Sequence, residues 1–301
     1  MELDFTNLAS LIAQAEEKKI LLSKLVLELQ AQQTESSEES LFEIMQNRYS
    51  VMAEAVRAGS RPDVRSTSGL TGGDAYLMHQ AVQKGSSIAG SFFAGALARA
   101  LAVSEWNAAM GRIVAAPTAG SCGILPAAVL TMQQEKNLSE RVCVMSLFTA
   151  SAVGLVIASN ATLSGAQGGC QAECGSASAM AAAALVELAG GTPSMVGHAV
   201  AIALKNTLGL VCDPVAGLVE IPCIKRNASG VAGALCAAEL ALAGIKSAIP
   251  ADKVIKAMKR VGDAMPAALR ETAEGGLAAT PTGRKLFEQV FGTSGCPGCG
   301  K

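Results

Sequence analysis

Between Arg141 and Glu173 the chain carries no charged residue. A stretch of that length is either a membrane span or a helix buried in a protein core. Its polar content decides between the two. Thr149, Ser151, Ser159, Asn160, Thr162, Ser164 and Gln167 fall inside it, and it runs into Gly168-Gly169. Polar groups that dense would need internal partners in lipid. The stretch therefore predicts a core helix that ends in a functional loop, with no membrane partner.

Composition extends that reading to the whole chain. Hydrophobic residues make up 50% of the sequence and aromatics only 3%. The core must then be built from small and branched aliphatics, which favours closely packed helices over a β-sandwich. No sustained period-two alternation appears, and the expected fold class is all-α, with Gly-rich loops at the helix ends. Helices are expected over 87–110, 142–158, 178–189, 195–208, 233–242 and 252–269. Polar loops are expected at Ser66–Asp74 and Ala115–Gly123. Residues 1–66 differ in texture and read as an N-terminal helical segment, a candidate for docking a partner chain. Leu8, Leu11, Ile12 and Ala15 share a helical face there, and Ser40 with Glu43 has the spacing of a capping box. Residues 67–291 form the main helical domain, and 292–301 a Gly-rich tail holding two cysteines.

Lys plus Arg number 24 and Asp plus Glu 25, for a formal charge of −1. That balance argues against a nucleic-acid partner held by net charge. Nine cysteines are many for an intracellular chain, but the count is odd. Met1 is followed by Glu2 and Asp4 rather than by a basic, then apolar, leader. The thiols are thus expected to be reduced and the protein cytoplasmic. No P-loop and no dinucleotide fingerprint is present. His79 and His198 are the only histidines, which argues against a multi-histidine metal site.

Three cysteines stand beside helix breakers: Cys170 after Gly168-Gly169, Cys212 before Asp213-Pro214, and Cys223 after Pro222. Helix ends leave backbone N–H groups free. Such groups stabilise the charge of a thiolate-held metal–sulfur cluster. Buried structural cysteines fit the same positions, because free cysteine is among the most buried residue types.

The segments Gly168-Gly-Cys-Gln-Ala-Glu-Cys-Gly175 and Leu208-Gly-Leu-Val-Cys-Asp-Pro-Val-Ala-Gly-Leu-Val-Glu-Ile-Pro-Cys-Ile-Lys-Arg-Asn227 resemble those of the iron–sulfur-dependent L-serine dehydratases, in particular their alpha chain. Ser68–Asp74, Ala116–Gly123, Asn160–Gly168 and Arg270–Ala278 resemble the same family. The resemblance implies a 4Fe-4S cluster on Cys170, Cys212 and Cys223, with a fourth iron free of any such ligand. It implies a lyase converting L-serine to pyruvate and ammonia. It also implies an accompanying α/β domain, fused or as a separate beta chain, and a higher oligomer. This chain leaves no room for that domain, which in family members carries a Ser/His-rich loop of the active site.

The candidate catalytic residues are Lys205, Asn206, Thr118, Ser121, Thr71 and Asn160. Lys205 is a base if desolvated, or a carboxylate-binding cation. The Thr71-Gly-Gly and Thr118–Ser121 loops are either plain turns or nests whose N–H groups bind the substrate carboxylate. Asn160 opens one of the matching segments. Lys225 and Arg226, beside Cys223, are alternatives for balancing the cluster charge or binding the substrate carboxylate. Cys174 and Cys296-Pro-Gly-Cys299 depart from the family pattern. Cys170, Cys174, Cys296 and Cys299 have paired spacing compatible with a zinc site. Alternatively Cys299 or Cys296 supplies a fourth ligand to the cluster, as a terminal cysteine does in single-chain relatives, or the tail is simply frayed. Cys122, Cys143 and Cys236 are expected to be structural, and His198 a satisfied histidine. The competing functions are a related elimination such as L-cysteine desulfidation, and a non-enzymatic zinc or iron–sulfur protein.

Overall fold

The structure, a computed structural model, describes residues 7–292, and among them it is all helical, with no β-strand. Thirteen α-helices occur among the described residues: α1 (Leu8–Lys18), α2 (Leu22–Thr34), α3 (Glu38–Gly59), α4 (Asp74–Gln83), α5 (Gly90–Ala108), α6 (Ile124–Lys136), α7 (Glu140–Asn160), α8 (Gly165–Gly168), α9 (Ser176–Leu188), α10 (Pro193–Thr207), α11 (Cys223–Leu242), α12 (Ala251–Ala264) and α13 (Pro281–Phe291).

Helix α9 is the centre of the packing. Every residue of its Ser-Ala-Ser-Ala-Met-Ala-Ala-Ala-Ala-Leu-Val-Glu-Leu sequence except Glu187 is buried. A helix apolar on all sides must be covered on all sides, and α6, α7, α10 and α11 enclose it. Its alanines let those neighbours approach closely, which explains how a chain so poor in aromatics fills its interior. The charge-free stretch is α7, whose faces pack on α2 and α9. It is long and apolar enough to cross a membrane, yet two-thirds of its most apolar window is buried in protein, so it is a core helix.

The N-terminal helices share this core. Leu8, Leu11 and Ala15 of α1 are buried, as are Leu22, Leu25 and Val26 of α2. Asp252, in the first turn of α12, accepts the Leu8 and Ala9 N–H groups at 2.9 and 3.1 Å. The start of α3 corrects the expected capping box. Ser37, not Ser40, is the cap, and its hydroxyl accepts the Ser40 N–H at 3.1 Å. Ser40 lies one turn inside.

Two further boundaries differ from expectation. Helix α11 begins at Cys223 rather than 233, because Lys225 and Ser229 lie on the exposed face of a helix whose Ile224, Asn227 and Gly230 are buried. Helix α12 stops at Ala264, where the residue preceding Pro266 turns extended. Helices α2, α4, α6, α8 and α13 have no counterpart among the expected segments.

Candidate functional site

Three separate loops carry the three cysteines. Cys170 immediately precedes one π-helical turn, Gln171–Gly175, that leads into α9. Such wide turns recur at functional sites. Cys212 lies in a short extended bridge to Arg270: its N–H donates to Leu269 O at 2.9 Å, and its carbonyl accepts the Glu271 N–H at 2.7 Å. Cys223 is the first residue of α11.

Gln171 ties the first two loops together. Its side chain is fully buried. The amide nitrogen donates to Gly168 O and Met258 O at 2.9 and 3.0 Å, and the amide oxygen accepts the Gly209 N–H at 3.0 Å. Its own N–H donates to Leu210 O at 3.0 Å. One residue thereby fixes the approach to Cys212 against the Cys170 turn and α12. Asn227, one helical turn beyond Cys223, fixes a third loop. It donates to Gly120 O at 2.7 Å and to Cys223 O at 2.9 Å, and accepts the Gly123 N–H at 2.9 Å. Thr118 and Ser121 of that loop share a hydroxyl contact at 3.1 Å.

The thiols are buried and feel one another's charge. Burial, then the charge of Cys170, pushes the Cys223 thiol up to about 12. The same two causes push Cys212 well above the ordinary thiol value. Cys170 itself lies below that value. The sulfur of Cys174, 3.4 Å away, shares a hydrogen with it, and Arg226 assists against the cost of burial. Cys174 is correspondingly raised, first by that contact and then by burial. Arg226 is the cation of the group. Burial opposes its charge, but Cys170 and Asp213 outweigh that and hold its pKa above the usual arginine value.

Glu173 is the carboxylate of the group. Burial raises its pKa, and the Thr118 hydroxyl partly offsets this. It sits where bulk is excluded: a Cβ on Gly165 would lie 2.9 Å from Glu173 Oε2 and 3.0 Å from Cys212 Sγ, and one on Gly120 3.3 Å from the same carboxylate oxygen. Glu173, Cys212 and two glycine backbones therefore meet at one point.

A family model described as the serine dehydratase alpha chain matches residues 17–278. The chain belongs to the serine dehydratase alpha-chain family. A probable L-serine dehydratase alpha chain of Bacillus subtilis is 52% identical over 96% of each chain. The L-serine dehydratase alpha chain of Peptoniphilus asaccharolyticus is 47% identical over 90% of this chain and 92% of its own. An L-serine dehydratase of Streptomyces coelicolor is 48% identical over 60% of this chain but only 40% of its own length.

Within this family member the expected residues fall into distinct places. Thr118 and Ser121 join the cysteine group through Glu173 and Asn227. Thr71 reaches it indirectly: its hydroxyl and that of Ser68 donate to Glu220 at 2.7 and 3.0 Å, three residues before Cys223. The Thr71-Gly-Gly nest is already filled by protein. The buried Glu105 carboxylate accepts the Gly73, Asp74 and Ala75 N–H groups at 3.2, 2.8 and 3.3 Å. Those donors serve α4 and the loop, not a ligand. Asn160 ends α7, half-buried, and donates to Val156 O at 2.9 Å. Lys205 and Asn206 sit on the last turn of α10, and no described hydrogen bond or ion pair joins their side chains to the cysteines. Lys225 pairs at the surface with Asp74 at 2.7 Å.

Cys122 and Cys143 are buried as expected, whereas Cys236 is exposed: it lies on the outer face of α11. His198 accepts the Ser247 N–H through Nδ1 at 3.3 Å, a satisfied histidine. Cys296 and Cys299 lie outside the described residues. Among the described residues no three His, Cys, Asp or Glu side chains close around a single metal ion. Sequence reasoning missed Glu173, Gln171, Glu105 and Glu220. Glu173 had one available signal, as the first charge after the long uncharged stretch. A cavity of about 680 Å³ lined by Phe92, Met132, Leu185 and Leu235 contains none of the candidate residues.

Proposed function

We propose that this chain is the cluster-bearing subunit of a cytoplasmic, iron–sulfur-dependent L-serine dehydratase that eliminates water from L-serine to give pyruvate and ammonia, working with a beta chain. The carrying observation is the convergence of three buried thiols, two of them within reach of the charge of Cys170, the third, beside one partly buried guanidinium. That donor set fits an iron–sulfur group. The ligands of a single ion crowd within about 4 Å of one another, given metal–sulfur bonds of about 2.3 Å, whereas a four-iron cluster takes a wider set. Lone buried thiols, by contrast, would not need an arginine among them.

In this reading Cys170, Cys212 and Cys223 hold a 4Fe-4S cluster, and Cys299 or Cys296 is the candidate fourth thiolate by the family resemblance. When bound, the cluster supplies a Lewis acid that makes the serine hydroxyl a better leaving group. Arg226, rather than Lys225, balances the thiolate charge. Thr118 and Ser121, with the Ala119 and Gly120 N–H groups of their loop, receive the substrate carboxylate. Glu173 stands beside them as the group to give or take a proton, in buried surroundings that raise its pKa above the ordinary glutamate value. Loss of the α-proton and of the hydroxyl leaves an enamine, which tautomerises and hydrolyses to the two products.

The test is turnover of L-serine by anaerobically prepared protein with its beta partner. Pyruvate and ammonia should appear in equal amounts and disappear when iron is removed. Undiminished turnover after complete iron removal would overturn the proposal. Faster release of sulfide from L-cysteine would reassign the substrate.

A further inference from the structure

Cys174 has no part in the function above, yet its sulfur lies 3.4 Å from that of Cys170. Both residues are 2% exposed. The π turn between them brings two side chains four positions apart onto one face. Closing them to a disulfide, with its S–S bond of about 2.05 Å, takes a movement of roughly 1.4 Å. A buried cysteine that merely fills space needs no sulfur partner; this one faces a thiol that the proposed function requires.

We propose that Cys174 is a resolving thiol for Cys170: in the cluster-free chain, peroxide closes the pair to a reversible disulfide that keeps Cys170 from irreversible oxidation. The inference rests on the reading of Cys170 as a cluster ligand only for its consequence, not for the disulfide itself. The oxidant is hydrogen peroxide, a molecule little larger than water. The Cys170 sulfur attacks one peroxide oxygen, the O–O bond breaks, and Cys170 sulfenic acid and one water form. The Cys174 sulfur then attacks the Cys170 sulfur, the S–O bond breaks, and a second water leaves. Two sulfurs have each given one electron, and two thiol protons end in water. Without Cys174 the sulfenic acid proceeds to sulfinic and sulfonic acids, which thiols do not reverse. A dithiol such as dithiothreitol returns the pair to two thiols by exchange.

The experiment uses the full chain, stripped of iron anaerobically, exposed to hydrogen peroxide and mapped by peptide mass. The expected product links Cys170 to Cys174, with the loss of two hydrogens. After dithiothreitol the chain should take up iron as fully as an unexposed sample. Cys174→Ala, and Cys174→Ser as a second variant in case the first folds poorly, should instead gain two or three oxygens on Cys170 and fail to recover iron uptake. Oxygen addition at Cys170 in the parent chain to the same extent as in the variants, or a link from Cys170 to Cys212 or Cys223, overturns the proposal. Should Cys170→Ala load iron fully, the ligand reading fails, while the 170–174 link in the parent chain still decides the disulfide.

Discussion

The Arg226 guanidinium meets the Asp213 carboxylate at 2.9 Å, between side chains that are 16% and 4% exposed. Arg226 also donates to Val211 O at 2.9 Å, and the second Asp213 oxygen accepts the Leu277 N–H at 2.8 Å. The pair therefore joins three pieces: α11, the Cys212 loop, and the 270–278 loop. Gly276 permits the last contact, because a Cβ there would stand 2.4 Å from Asp213 Oδ2, and its φ of 57° lies in the left-handed region. Charge and backbone geometry are thus set together.

Removing one partner of a buried ion pair leaves the other uncompensated, at a cost of about 3 kcal/mol or more. Asp213→Ala should lower the urea midpoint of the iron-free chain accordingly. Asp213→Asn should lose less, since its amide oxygen still accepts the Leu277 N–H. An Asp213→Ala midpoint equal to the parent would show that the pair contributes nothing to folding.

Iron and sulfide content after anaerobic reconstitution tests the ligand set. Cys170→Ala, Cys212→Ala and Cys223→Ala should each lose most of it. Cys143→Ala should keep it, because Cys143 lies near the start of α7 and the charge that acts on it is that of Glu140, not of the three thiols. Full loading of Cys212→Ala would remove that residue from the set.

The division between what the sequence revealed and what it hid follows from the range of each interaction. Core helices such as α7 and α9 were legible because their apolar runs are long and local. Cys170, Cys212 and Cys223 were legible because breakers beside them mark loop ends. The approach of the Cys170 and Cys212 loops depends on Gln171, whose partners Gly209 and Met258 are distant in sequence. Likewise Glu105 fills the nest after Thr71 from another helix, 31 positions from Asp74. No spacing rule announces a carboxylate that arrives from elsewhere, so the sequence left that loop undecided between a plain turn and a nest for a ligand. The start of α11 was hidden because its polar first turns resemble a loop until Asn227 and Gly230 are seen to face inward.

Gly165→Ala tests the crowding at the site. The added methyl must displace Glu173 or Cys212, and overpacking of this kind costs about 1–3 kcal/mol. We expect a folded chain with reduced iron content and a lowered midpoint. Parent-like values for both would mean that the site yields without consequence.

The terminal cysteines bear on the fourth ligand. If a tail thiolate ligates at rest, the Cys296→Ala/Cys299→Ala double variant should still assemble the cluster. It should lose that cluster faster in air and show an altered apparent affinity for serine. Identical oxygen lifetime and affinity would leave the tail without this role.

Glu187 offers a pH test far from the cysteines. It is the one residue of α9 that is only partly buried, and its carboxylate accepts the Thr149 hydroxyl at 2.6 Å and the Ser23 N–H at 3.1 Å. Burial outweighs these bonds and raises its pKa above the ordinary glutamate value. A carboxyl raised on folding binds its proton more tightly in the native state than in the unfolded one. Its contribution to stability is therefore complete below the unfolded pKa and is lost as the pH climbs through the folded one. The comparison is between the parent and Glu187→Gln, which cannot ionise. From pH about 4 to about 7, a range that starts near the unfolded glutamate value of about 4.3, the parent's urea midpoint should fall relative to the variant's. A parent that instead gains on the variant across that range would mean that the two hydrogen bonds, not burial, set the charge of Glu187.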